Sequence, residues 1–209
     1  MVTLFFKTKF FLIKEQWWTI VYYYKCPRFA LYDLSLGLCT LFFNPYRHCR
    51  KFLEKKGVPI VHGYGQTPLR TFSKLAEAAQ MTSCDHYLEL GSGRGKTCVW
   101  ASLFIRCQVS GIEWVPLFFS LSKALSILFR LGAHFEQKSM FEVDLEGVTV
   151  AYIYSTQLTK RQIKEIPFSS MAPGSRLITI SEPHPDFPIS KTIPVIFPWG
   201  ETNAFIQEI

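Results

Sequence analysis

The apolar and polar positions between residues 61 and 209 follow two periods, one typical of strands and the other of helices. Five short apolar segments predict strands: His86–Leu90, Gln108–Glu113, Ala133–Gln137, Val148–Tyr154 and Arg176–Ile180. Segments with a helical pattern separate several of them. Strands that alternate with helices form parallel sheets through right-handed crossovers, so this region predicts an α/β domain. Two further apolar segments, Thr192–Phe197 and Asn203–Ile206, predict an antiparallel hairpin at the end.

Three helices are predicted in this domain. One starts at Thr67-Pro68, with proline in its first turn, and the other two span residues 95–105 and Val115–Leu131. Apolar positions at helical spacing give the first an inward face made of Leu69, Phe72, Leu75, Ala76 and Ala79. The same spacing predicts that the second helix buries Val99, Trp100, Leu103 and Phe104.

Apolar blocks separated by basic residues make up residues 1–60. Ala30–Phe43 predicts a helix with a narrow polar stripe, and Tyr46–Lys56 predicts a basic helix after the Asn44-Pro45 break. A membrane-spanning helix needs ~20 largely uncharged residues. The longest uncharged run, Leu34–Tyr46, has 13. We therefore expect no spanning segment, and Glu15 with the paired tryptophans disfavours a cleavable signal peptide.

The positive charge of the chain is confined to its N-terminal part. Residues 1–60 hold 10 Lys and Arg against 3 Asp and Glu, whereas residues 61–209 hold 13 of each. We therefore divide the chain into a basic, aromatic-rich helical extension, 1–60, and a charge-balanced α/β domain, 61–209. An apolar fraction of 48% and a charged fraction of 19% are those of a globular protein.

Two interpretations of the extension stay open. Its helices either cap the α/β domain or lie on an anionic membrane surface, where aromatic and basic side chains are favoured. The expected location is cytoplasmic, with or without membrane association. The six cysteines have no C-x-x-C spacing, so we expect reduced core cysteines and no metal site.

Glycines follow the first predicted strand of the domain at a spacing suited to a bound nucleoside. Gly91, Gly93 and Gly95 come directly after His86–Leu90 and precede a helical pattern. Glycine permits positive φ and the close approach of a ligand. A dinucleotide fingerprint has the form G-x-G-x-x-G, whereas here the third glycine comes one residue early and Lys96 occupies its usual place.

The segment Glu89-Leu-Gly91-Ser92-Gly93-Arg-Gly95 resembles motif I of class I S-adenosylmethionine (SAM) dependent methyltransferases. The resemblance implies a Rossmann-like, seven-strand methyltransferase sheet with a C-terminal antiparallel hairpin. It also implies SAM as cofactor, S-adenosylhomocysteine as product and no metal. In that family the glycine turn passes under the methionine part of SAM, and the acidic residue lies near its charged end.

Further candidate cofactor residues follow the next two strands. Glu113 ends the second strand 22 residues after Gly91, where a carboxylate can accept hydrogen bonds from both ribose hydroxyls. Trp114 is placed either to cover the adenine or in the core. After the third strand the family commonly has an acid that contacts the adenine amino group. Here the segment offers Ser139, Met140 and Phe141 instead.

Upstream, Tyr64-Gly65-Gln66-Thr67 before a helix looks like the Tyr-Gly-Glu-Thr loop of non-SET, seven-strand protein-lysine methyltransferases, with Gln66 in place of glutamate. This resemblance covers roughly residues 62–183, and in those enzymes the loop folds over SAM. It adds Tyr64, Gln66 and Thr67 to the cofactor site.

The candidate catalytic residues are Tyr64, Tyr154 and Thr156, the last two at the exit of the fourth strand. Aromatic rings there would desolvate the amine of an acceptor, which lowers its pKa. An Asn/Asp-Pro-Pro-aromatic motif, found at this exit in many DNA and amine methyltransferases, is missing, so nucleic acid is disfavoured as a partner.

We therefore expect transfer of a methyl group from SAM to an amine acceptor, with a protein lysine as the leading candidate. Two alternatives stay open: methylation of a small or lipid-like molecule, and a non-catalytic SAM-binding interaction protein. An NAD-dependent dehydrogenase is a more distant possibility, because the strand-end acid Glu113 is a feature shared with NAD enzymes.

Overall fold

The computed structural model describes residues 2–58, 64–154 and 158–209. A seven-strand sheet with the strand order β3-β2-β1-β4-β5-β7-β6 forms its centre. The strands are β1 (His86–Leu90), β2 (Gln108–Glu113), β3 (Ala133–Gln137), β4 (Val150–Ile153), β5 (Arg176–Ile180), β6 (Ile189–Phe197) and β7 (Gly200–Glu208). The first five pair in parallel, and β7 runs antiparallel between β5 and β6. The predicted fold class is confirmed, including the closing hairpin.

Seven α-helices, four of them before the first strand in the chain, cover the two faces of the sheet in the part of the chain that the structure describes. They are α1 (Val2–Tyr23), α2 (Pro27–Phe42), α3 (Pro45–Lys55), α4 (Leu69–Ala78), α5 (Lys96–Trp100), α6 (Pro116–Leu128) and α7 (Lys160–Glu165). A π-helical turn, Ala101–Ile105, continues α5. Side chains alternate along the strands, so Tyr87 and Tyr152 pack toward α2, α4 and α5, whereas Leu88 and Ile153 belong to a second core on the α7 side.

Several predicted boundaries and burial assignments need correction. The helix predicted to end at Leu131 ends at Leu128, because Arg130 (φ 51°) and Gly132 (φ 76°) leave the helical conformation. The fourth strand is shorter than Val148–Tyr154, since Val148 N–H closes a turn onto the Leu145 carbonyl. The helix expected to have Pro68 in its first turn begins at Leu69, with Pro68 as its N-cap residue.

Other differences concern elements and side chains. α7 was not predicted, although Thr159 and Gln162 form a capping box at its start. In the π-helical turn Leu103 and Phe104 are only partly buried, because the wider turn rotates them out of the inward face. All six cysteines are free, but Cys84 is exposed, so the prediction that all of them lie in the core is wrong there.

The N-terminal helices pack on the main core through one side. Tyr23, Phe29, Tyr32 and Leu36 join the core cluster that includes Trp100. Tyr32 donates its hydroxyl to the carbonyl of Arg94 in the glycine turn. α2 is thus bonded to the glycine turn, and α1 joins the same core through Tyr23. Among the described residues, no helix combines the length and hydropathy that crossing a membrane requires.

Candidate functional site

The glycine turn at the carboxyl end of β1 is built by backbone conformation. Gly91, Gly93 and Gly95 have φ angles of 73°, 56° and 75°, a region in which other residues are strained. The amides of Gly91 and Ser92 both donate to the carbonyl of Ile112 at 2.9 Å. The turn is therefore fastened to the end of β2.

Glu113 joins the turn to the start of α6. Its carboxylate accepts a hydrogen bond from the Gly93 N–H at 2.6 Å and another from the Val115 N–H at 2.7 Å. Burial raises the pKa of this carboxyl to about 7, against the opposing effect of those two backbone donors. A buried carboxylate has lone pairs beyond those two bonds, and these suit the hydroxyls of a ribose.

Glu89 lies in β1, two residues before the first glycine of the turn. Its carboxylate accepts from the Thr97 hydroxyl and from the Cys98 thiol, the latter at 3.1 Å. Burial raises its pKa to about 7, while those hydrogen bonds act in the opposite direction. Thr97 and Cys98 thus orient the acid that motif I places before the first glycine.

A narrow cleft opens where the turn meets the segment before α4. Most of the predicted site residues line it: Tyr64, Gln66, Thr67, Glu89, Gly91, Ser92, Gly93 and Tyr154. Gly65, Arg94, Lys96 and Thr97 complete the lining. The structure thus brings together segments that are up to 90 residues apart, Tyr64 to Tyr154, in one cleft.

Four residues of the cleft, Gly65, Arg94, Lys96 and Thr97, were not predicted from the sequence, and Arg94 makes the most contacts that shape it. Its guanidinium donates to the Tyr64 hydroxyl at 2.9 Å, to the Gln66 side-chain oxygen at 3.1 Å and to the Leu36 carbonyl at 3.3 Å. It therefore fastens the Tyr64 loop and α2 to the glycine turn. The middle residue of a glycine turn has no distinctive sequence pattern, so only the fold reveals this role.

Tyrosine side chains form two walls of the cleft. The ring of Tyr64 packs on Phe118 with a centroid distance of 5.0 Å, and burial raises its pKa. Tyr154 accepts a hydrogen bond from the Trp199 indole N–H at 2.7 Å. The backbone of Gly65 lies so close to the Tyr154 ring that a β-carbon there would stand 3.0 Å from it. Both rings are thus held in place by contacts outside the cleft.

Glu113, next to the turn, and the remaining predicted residues lie outside the cleft lining. Gly95 packs under β3, since a β-carbon at this position would come within 2.5 Å of the Phe135 ring. Trp114 packs edge-on against Phe52 of α3 at 5.2 Å. Met140 reaches Gly91 with its terminal methyl. Ser139 accepts from the Phe141 N–H at 3.4 Å, and Phe141 is exposed; Thr156 lies outside the described residues.

The geometry of the turn bears on which nucleoside cofactor fits. The N–H groups of Gly91, Ser92 and Gly93 are all engaged within the protein. A pyrophosphate cradle needs backbone donors aimed at the ligand. The turn fits SAM better than a dinucleotide. The Glu113 carboxylate can accept from ribose hydroxyls, and the N–H groups at these three positions do not point toward a phosphate. Among the described residues, no group of three or more His, Cys, Asp or Glu side chains is arranged to hold a metal ion.

Solved structures share this fold. An RNA methyltransferase from Salinibacter ruber, in complex with S-adenosyl-L-homocysteine, matches with a TM-score of 0.62 and 20% identity over 69% of this chain and 94% of that one. A mutant of MtNAS in complex with S-adenosylmethionine matches with a TM-score of 0.57 and 13% identity, over 67% of this chain and 61% of that one. The tRNA methyltransferase TrmK of B. subtilis matches with a TM-score of 0.55 and 13% identity, over 66% and 65%.

These likenesses identify the fold as that of the class I SAM-dependent methyltransferases. No protein-family model matches the sequence. No curated protein matches it significantly either.

Proposed function

We propose that this protein transfers a methyl group from SAM to an amine acceptor, and that the acceptor is a lysine side chain of another protein. The observation that carries the first part is the hydrogen bond from Gly93 N–H to Glu113 at 2.6 Å. It sets a buried carboxylate beside a glycine turn at the carboxyl ends of β1 and β2, where this class of fold binds nucleosides.

The ribose and methionine parts of SAM have counterparts in and beside the cleft. Glu113 would accept from the ribose hydroxyls, and Gly91 and Gly93 would let the methionine portion pass without meeting a β-carbon. Glu89, whose pKa is raised by burial to about 7, would face the charged end of the cofactor. When bound, SAM supplies the activated methyl group.

The choice of an amine acceptor rests on Tyr64 and Tyr154. The acceptor must release its ammonium proton to solvent and shed water before its neutral nitrogen attacks the methyl carbon, and apolar aromatic walls favour both changes by desolvation. Both rings line the cleft next to the glycine turn. The Tyr64-Gly65-Gln66-Thr67 loop, fastened by Arg94, further supports the likeness to lysine methyltransferases.

The test is transfer of a radiolabelled methyl group from SAM to a lysate by the full chain, followed by separation into protein, RNA and lipid fractions. We expect label in protein, recovered as methyl-lysine after acid hydrolysis, and none with Glu113→Ala. Label in lipid or RNA would contradict the lysine assignment and leave methyl transfer standing. No label in any fraction, with SAM bound, would indicate a non-catalytic SAM-binding protein.

A further inference from the structure

The two N-terminal helices are apolar on the side that faces away from the protein. On α1, exposed residues recur at helical spacing as Phe10, Ile13, Trp17 and Val21, and on α2 as Leu31, Leu34, Leu38 and Leu41. Trp17 is 69% exposed and Leu41 77%. We call these eight residues the outer stripes. Exposed apolar surface of this extent marks a site where something else docks.

The inward side of α1 is, by contrast, partly polar. Thr19 is buried, and Thr8 donates to the Pro198 carbonyl at 3.1 Å. Phe11 and Trp18 on the same side are only partly buried. Apolar side chains thus occur on both sides of α1. Within the described part of the chain, those of the outer stripes stay exposed.

The charge around the stripes identifies the occupant. Lys7, Lys14, Lys25 and Arg28 are exposed on α1 and α2 and in the turn between them. Neither of the two acidic residues of α1 and α2 is exposed: Asp33 is buried against Lys96, and Glu15 is half-buried. Apolar and aromatic side chains flanked by exposed cations are the composition of helices that lie in the interface of an anionic membrane.

We propose that the outer stripes of α1 and α2 dock this protein on the surface of an anionic lipid membrane, with both helices lying in the interface. A cavity of the protein opens on the same side. Leu34, Leu38 and Leu41 line this cavity together with Gln66, Arg94 and Lys96, which also line the cofactor cleft. Docking would thus orient this cavity, which adjoins the cofactor cleft, toward the bilayer.

The proposal does not rest on methyl transfer and is tested without SAM. Full-length protein is floated with vesicles of phosphatidylcholine alone and of phosphatidylcholine mixed with phosphatidylglycerol. We expect binding only to the anionic vesicles, weakened by added salt. The double variant Trp17→Gln/Leu41→Gln should bind at least about tenfold more weakly, because two apolar side chains no longer enter the interface.

Two matched controls lie away from the stripes. Ile189→Gln removes an apolar side chain, 48% exposed, at the end of β6 remote from α1. Arg161→Gln removes an exposed cation on α7, across the sheet. Both should bind like the unaltered protein, whereas Lys7→Gln/Lys14→Gln should lose binding to anionic vesicles. Circular dichroism melting checks that each variant is folded.

Three results would overturn the proposal. The first is no binding of the unaltered protein to anionic vesicles, and the second is an equal loss of vesicle binding in the Ile189→Gln control. The third is a concentration-dependent dimer in sedimentation that Trp17→Gln/Leu41→Gln abolishes, with no binding to vesicles. The last result would assign the stripes to a second copy of the chain.

Discussion

The carboxylate of Asp33 on α2 lies 2.7 Å from the ammonium group of Lys96, the residue that follows the last glycine of the turn. Both side chains are largely buried, and Asp33 also accepts from the Tyr24 hydroxyl at 3.0 Å and from Gln16 at 3.2 Å. One ion pair thus joins the N-terminal helices to the start of α5. The N-terminal helices are therefore bonded to the residue that follows the glycine turn.

Asp33→Asn should destabilise the protein, because it leaves the Lys96 charge largely buried without its partner. Removing one member of a buried pair costs about 3–5 kcal/mol, and we expect the lower end here, since Lys96 keeps some contact with water. Urea unfolding followed by circular dichroism measures the loss. Glu165→Gln breaks the exposed pair with Arg161 and should change stability by less than about 1 kcal/mol. Equal effects of the two substitutions would contradict the role given to Asp33.

The strands of the α/β region were predictable because their apolar runs are short, separate and bounded by turns. His86–Leu90, Gln108–Glu113, Ala133–Gln137 and Arg176–Ile180 have the predicted bounds. α1 was not predicted as one helix, because Lys7, Lys9 and Lys14 interrupt its apolar pattern. In the structure these lysines are exposed on the surface of a continuous helix.

The same limit applies to the cleft. Glu113 and the glycines were identifiable from spacing along the chain, since the carboxyl ends of neighbouring parallel strands meet. Arg94 was not, because its role depends on Tyr64, Gln66 and Leu36, which reach it only in the folded chain. The pair of Asp33 and Lys96 was missed for the same reason.

Gly95→Ala should cost about 2–5 kcal/mol of unfolding free energy, the sum of positive-φ strain and overpacking against Phe135. Its φ is 75°, and the added β-carbon would stand 2.5 Å from that ring. Gly147→Ala is a matched control, because its φ is 76° and nothing lies within 4 Å of the added carbon. It should cost only about 1–2 kcal/mol. Equal losses in urea unfolding would refute the packing role of Gly95.

Arg94→Ala should weaken SAM binding about tenfold, because the Tyr64 loop loses charge-assisted hydrogen bonds that hold it beside the turn. Calorimetric titration measures the affinity. Arg161→Ala removes an exposed arginine on α7 and should leave the affinity unchanged. Normal SAM affinity in Arg94→Ala would mean that the loop position does not depend on this side chain.

SAM affinity should rise as the pH is increased from about 6 to about 8. The pKa of Glu113 is raised by burial to about 7, so below that pH the carboxyl is protonated and is a weaker acceptor for the ribose hydroxyls. Titrations across this range measure the slope. Glu113→Gln should bind weakly, with a flatter profile to which Glu89 still contributes. A pH profile of the same slope in Glu113→Gln would assign the ionisation to another group.

The same two carboxyls should make the unliganded protein less stable as the pH rises. Their pKa values of about 7 lie above the ordinary 4.5, so between those values the folded state binds more protons than the unfolded state. Their contribution to the unfolding free energy is therefore largest below about pH 4.5 and falls until the pH has passed about 7. Urea unfolding at pH 6 and pH 8 should show that fall, and Glu113→Gln should reduce it. An identical fall in the variant would contradict the raised pKa of Glu113.

Calorimetric titration of the full chain with SAM tests the central claim most directly. We expect one site of micromolar-range affinity, lost in Gly93→Val, where a side chain at φ 56° would both strain the turn and enter the cleft beside Tyr64. Circular dichroism establishes that the variant is folded, and Gly147→Val should bind normally. Absence of SAM binding by the unaltered protein, or undiminished binding by folded Gly93→Val, would contradict the account.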